Sequence, residues 1–92
     1  MSFYLKDPHS RIDYAIDWSS DLAGRTIEAS LWSVEPDEDG GIAVEDTSLE
    51  PGWTEARLAG GRIGHSYSVS NRVTLSDGTI EVRSISLRAE PR

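Results

Sequence analysis

Ninety-two residues with 37% apolar content allow one modest core, and a chain of this size buries roughly 60–65% of its unfolded surface. With no cysteine there is neither a disulfide framework nor a thiolate metal site, which fits a reducing compartment. Sixteen acids against nine bases give a net charge of -7, which argues against nucleic-acid binding and fits solubility or a basic partner.

The start, Met1 to Asp7, lacks the basic head and apolar run of a signal peptide, and no stretch approaches the ~20 apolar residues that span a bilayer. A soluble protein without membrane contact is therefore expected. Residues 1–11 show no period, and Asp7-Pro8 makes them an extended N-terminal arm. Ile12, Tyr14, Ile16 and Trp18 alternate with Asp13, Ala15 and Asp17, the period of a half-buried strand. Ser19-Ser20-Asp21 breaks it, leaving Leu22 to plug one end of the core. In Thr26 to Val34, Ile27, Ala29 and Leu31 alternate with Glu28 and Ser30, and Trp32 falls out of phase.

Residues 35–41 form a polar loop, Ile42 and Val44 open a short edge strand, and Thr47 to Gly52 reads as a second loop with Pro51-Gly52 as its turn. Thr54, Ala56 and Leu58 then face the core. From His65 to Ala89 the pattern is a long hairpin about Asp77-Gly78, the signature of a type I′ turn. That turn sets Leu75 opposite Ile80 and Val73 opposite Val82. The downstream arm then changes phase, so a bulge near Arg83-Ser84 is expected, pairing Val69 with Leu87 and Tyr67 with Ala89. Residues 89–92 read as a frayed tail.

Six or seven short strands at roughly ten-residue spacing describe an all-β sandwich or barrel. Tyr67, soon after Gly64 and two residues before Val69, matches a tyrosine corner, its hydroxyl bonding backbone near Gly61 or Arg62. The fold expected is an immunoglobulin- or fibronectin-III-like antiparallel β-sandwich of about seven strands, one domain over residues 1–92.

No catalytic constellation appears: His9 and His65 have no second histidine at ligand spacing, and no nucleophile elbow or phosphate-cradling glycine loop is present. No enzyme and no cofactor is expected. Glu35, Asp37, Glu38 and Asp39 are the best candidates for a hard-cation site, but their spacing lacks the closing Glu of a calcium loop, so a solvated loop is the reading and no metal is assigned. Trp18 shares the parity of Tyr14 and Ile16 and belongs in the core. Trp32 and Trp53 either cap the ends of the sandwich or stand partly exposed, where they would anchor a protein or form a platform for carbohydrate.

Leu5-Lys6-Asp7-Pro8, Asp13-Tyr14-Ala15-Ile16-Asp17-Trp18, Thr26-Ile27 with Trp32, Ser70-Asn71-Arg72-Val73-Thr74, Asp77-Gly78 and Arg83-Ser84-Ile85 together resemble the fibre-tail adaptor proteins of tailed bacteriophages and prophages, over about residues 5 to 88. The resemblance implies an immunoglobulin-like domain and a non-catalytic role in the virion tail, made in the bacterial cytoplasm. Its partners would be other tail proteins, with oligomerisation on assembly. Leu5, Lys6, Asp7 and Pro8 lie outside the expected strands, so they would either dock on a partner by backbone pairing or a proline-kinked contact, with Trp32 and Trp53 as further contact residues, or cover the open end of their own sandwich. The competing reading is a carbohydrate- or cell-surface-binding module using the two tryptophans.

Overall fold

The computed structural model describes residues 2–91, with side chains from residue 4 onward. Among them are seven strands and one helical turn: β1 (Ser2–Lys6), β2 (Arg11–Asp17), α1 (Ser19–Leu22), β3 (Ile27–Glu35), β4 (Ile42–Glu50), β5 (Trp53–Gly60), β6 (Ser66–Leu75) and β7 (Ile80–Ala89). One sheet runs β1-β7-β6-β3 and the other β2-β5-β4. With β1 set aside, these are the C-F-G and B-E-D groupings of an immunoglobulin sandwich. Every pairing is antiparallel except β1, which lies parallel to the end of β7.

The expected strand over Ile12 to Trp18 is present as β2, and it ends where Trp18 turns inward. Asp17 Oδ1 accepts the Ser19 N–H at 2.9 Å, which opens the single turn of α1. Leu22 closes that turn and is buried with Trp18, Ile16, Ile27, Val73 and Leu75, plugging one end of the sandwich as expected. A second cluster gathers Ala56, Leu58, Tyr67, Val69, Ile85 and Leu87, and Tyr14 and Trp32 pack against both.

Four local readings are corrected. First, the hairpin turn is not type I′: neither Ser76 nor Asp77 has a positive φ, and only Gly78 does, at 88°. The Gly78 N–H bonds Leu75 O and the Leu75 N–H bonds Thr79 O, giving a three-residue loop closed by a left-handed glycine. The extra loop residue moves the register by one. Thr74 pairs with Ile80, Val73 with Glu81, Val69 with Ile85 and Tyr67 with Leu87, with no bulge at Arg83-Ser84. Ile80 and Val82 therefore face out rather than in. Glu81 and Arg83 take the inner side, where the Arg83 guanidinium lies 4.7 Å from the Trp18 ring centroid and bonds Asp17 O at 3.1 Å.

Second, the phase change lies in β3, where pairing with β6 slips between Ile27 and Ala29. Beyond this slip Ala29 and Leu31 face solvent, while Ser30, Trp32 and Val34 turn inward. Third, β4 continues to Glu50, with a slip between Val44 and Thr47, so residues 47–50 are strand rather than loop. An edge strand with few inward positions shows little alternation to read. Fourth, the N-terminal segment is no free arm, because Ser2–Lys6 is an edge strand. The tail is tied as well: Ala89 is fully buried and the Glu90 N–H bonds Lys6 O at 2.9 Å. Met1 and Arg92, at the ends of the expected arm and tail, lie outside the described residues.

A polar chain spans the two sheets inside the core. Trp18 Nε1 donates to Thr54 Oγ1 at 3.0 Å, Thr54 Oγ1 donates to Asn71 Oδ1 at 2.6 Å, and Asn71 Nδ2 donates to Ser30 Oγ at 2.8 Å. Trp18, Thr54 and Asn71 are essentially without solvent exposure. Burying such groups is tolerated because each has its partner.

Candidate functional site

The Leu5 to Pro8 segment splits into separate roles. Leu5 is half exposed at the edge of the four-stranded sheet. Lys6 is buried, and its Nζ donates to Asp7 O at 3.0 Å, Ser10 O at 2.7 Å and Gly60 O at 2.8 Å. Burial lowers its pKa, an effect that Asp7 partly opposes. Lys6 therefore ties the first strand to the end of β5 across the two sheets. Asp7 shapes the β1–β2 turn: its Oδ1 accepts the His9 N–H at 2.8 Å and its carbonyl accepts the Ser10 N–H at 3.0 Å. Pro8 lies in that turn. Leu5 and Lys6 thus belong to β1, contrary to the expectation that the motif lies outside the strands, whereas Asp7 and Pro8 form the turn after it.

The three tryptophans stand in three settings. Trp18 is core. Trp53, at the start of β5, is 40% exposed. Trp32 is half-buried, edge-on to Tyr14 with ring centroids 6.2 Å apart, and its Nε1 is buried with no acceptor among the described residues. Trp32 and Trp53 belong to different sheets and form no common platform.

At the end of the sandwich opposite α1, the tyrosine corner is present. Tyr67 Oη accepts the Arg62 N–H at 2.9 Å, the upstream backbone bond expected, and donates to Glu38 Oε2 at 2.5 Å. The same carboxylate oxygen lies 3.0 Å from His65 Nδ1. Hydrogen bonds from Tyr67 and then from His65 hold the Glu38 carboxyl below its usual range, while burial and then the Glu38 bond raise the Tyr67 phenol. Glu38 is thereby engaged as the anchor of its loop, leaving Glu35, Asp37 and Asp39 around it on the exposed surface. Among the described residues no three His, Cys, Asp or Glu side chains gather as a metal site.

The two outer faces differ in kind. That of the three-stranded sheet is charged: Arg57 bonds Asp13 at 2.8 Å, and Arg11 bonds Glu45 at 2.8 Å. That of the four-stranded sheet carries Leu31, Ile80 and Val82 at 60%, 50% and 56% exposure, with Arg72 paired between Leu31 and Val82 across the strands. The slip in β3 and the added residue in the β6–β7 turn expose these three together, so alternation alone gave no sign of them. Among the described residues β1 pairs only with residues 85–89, which leaves the β7 edge over residues 80–84 without a strand neighbour. Two recesses lie along the sides of the sandwich. One, of about 280 Å³, is bounded by Tyr4, Leu5, Ile12 and Tyr14 between β1 and β2. The other, of about 500 Å³, runs between β3 and β4, with Trp32, Val34, Ile42 and Val44 inside and Asp37 and Asp39 among the residues around it.

No helix among the described residues is long and apolar enough to cross a membrane. A search of the curated proteins finds no match. A family model described as Podophage GP4 fiber-tail adaptor protein gp77 matches residues 6–88, a span that runs from the end of β1 through β2 to β6 and nearly all of β7. The chain therefore belongs to this family of phage fibre-tail adaptor proteins, a structural family of the phage tail.

Proposed function

We propose that this chain is a non-catalytic adaptor that joins tail proteins of a phage or prophage through direct contacts made by its four-stranded sheet. The observation that carries this reading is the outer face of that sheet, where Leu31, Ile80 and Val82 stand exposed on paired strands beside an open edge of β7. Large apolar side chains grouped on one face mark protein interfaces more often than they serve a monomer. Arg72 among them offers a charge for a partner carboxylate. The ion-paired face of the other sheet has no comparable apolar group, and exposed ion pairs contribute little to association. The separation of Trp32 from Trp53, and the packing of Trp32 against Tyr14, leave the carbohydrate reading without a platform. In this reading Leu5 borders the contact surface, Lys6, Asp7 and Pro8 hold its edge strand, and Trp53 extends contacts at the α1 end. The chain would be made in the host cytoplasm and become part of the virion on assembly.

Leu31→Asp with Val82→Lys tests the proposal, since both side chains are already in water and the fold should keep its melting temperature. In cells infected with a phage lacking this product, the double variant should fail to enter tailed particles. Normal incorporation would refute the assignment of this face.

A further inference from the structure

We propose that the groove between β3 and β4 receives an extended segment of another protein, pairing along the free edge of β3, with apolar residues alternating with Lys or Arg. This rests on the adaptor reading above and names a second surface and the chemistry of what it holds.

Both strands that border the groove are outermost in their sheets. Each therefore presents backbone donors and acceptors that no neighbouring strand takes up. The two edges differ in regularity. β4 is broken by the slip between Val44 and Thr47, whereas β3 keeps an unbroken register with β6 from Ala29 to Glu35. A seven-residue run of regular edge suits strand addition, in which main-chain bonds give affinity and alternate side chains enter pockets. A recess of about 500 Å³ lies there, lined by Trp32 and Val34 from β3 and by Ile42 and Val44 from β4.

Two further observations define the occupant. The Trp32 indole N–H is buried without an acceptor among the described residues, and a buried donor is costly until an acceptor is supplied. A main-chain carbonyl of an added strand supplies one. At the loop end of the groove lie Asp37 and Asp39, neither of which has an ion-pair partner among the described residues, and Glu35 is the last residue of β3. This acidity selects a basic strand and opposes a second copy of a chain whose own charge is -7.

The probe is a short synthetic peptide alternating valine with lysine, with a valine–glutamate peptide as control, titrated into the isotopically labelled protein. The lysine peptide should shift the Trp32 indole N–H resonance and the amides of residues 29–35, and slow exchange of those amides. Binding should weaken as salt is raised. Asp37→Lys with Asp39→Lys, both in an exposed loop, should weaken it tenfold or more. The glutamate peptide should bind no better than buffer. The inference is overturned if the lysine peptide at millimolar concentration leaves the Trp32 and β3 signals in place, or if both peptides bind alike. It is also overturned if the shifts map to the Leu31–Val82 face instead. Because particle incorporation is read with the groove intact, these results leave the test of the sheet face independent.

Discussion

Thr54→Val separates hydrogen bonding from packing in the core of this sandwich. The replacement keeps the side-chain volume and adds no cavity. It removes the hydroxyl that accepts from Trp18 Nε1 and donates to Asn71 Oδ1. Two buried groups lose a partner where water has no access, at ~1–3 kcal/mol each, so the variant should lose ~2–6 kcal/mol. That is a large part of the ~5–15 kcal/mol by which domains are stable, and at ~4–8 °C per kcal/mol the melting temperature should fall by at least ~8 °C. Thr54→Ser is the control. It retains both hydrogen bonds and gives up one methyl group, worth ~1 kcal/mol. Urea unfolding of the three proteins, with unchanged slopes, gives the comparison. The polar chain has the role assigned to it only if valine is the worse substitution; a valine variant as stable as the serine variant would refute the reasoning.

Lys6→Met should cost ~2–4 kcal/mol in chemical denaturation, because three carbonyls lose an ammonium donor while apolar volume is nearly kept. An unchanged midpoint would show that β1 is held by its ladder alone. Gly60→Ala should be more damaging than Gly78→Ala. Both sites have positive φ, which costs alanine ~1–2 kcal/mol, but a Cβ at Gly60 would also stand 2.6 Å from Gly41 O, whereas Gly78 faces open space. Equal melting temperatures would contradict this. Asp77 has its pKa lowered to about 2 by hydrogen bonds from Thr79 and then Arg25, so its folded-state value lies below the unfolded 3.8. The stabilisation is present above that range and is lost as pH falls from about 4 to about 2. Asp77→Asn should flatten the acid limb of a stability–pH profile; a superimposable limb would place the effect elsewhere.

The fold class was legible because alternation in β2, β5 and β6 fixes two faces per strand whatever the partner. Tyr67 was equally plain, since its corner bonds backbone only a few residues upstream. What local pattern does not carry is which face meets the core when one residue enters a turn or a bulge. The Asp77-Gly78 pair fits a two-residue turn as well as a three-residue loop, and the choice inverts the facing of Ile80 and Val82. A slip at Ile27 to Ala29 does the same for Leu31 and Trp32. The residues proposed as the contact face are thus those whose sidedness is set across strands.

Asn71 and Lys6 fall to the same limit. Asn71 shares the inward parity of β6 and Lys6 falls in a segment without period, and each is buried because distant groups satisfy it: Thr54, Ser30 and Leu31 O for Asn71, the Gly60 carbonyl for Lys6. The sequence by itself determined a cysteine-free, acidic β-sandwich with a tyrosine corner and a long terminal hairpin, since these depend on period and composition. Tertiary pairing alone decided the strand phase, the tethered N-terminus and the exposed apolar face, because burial of a side chain depends on register and on partners far along the chain.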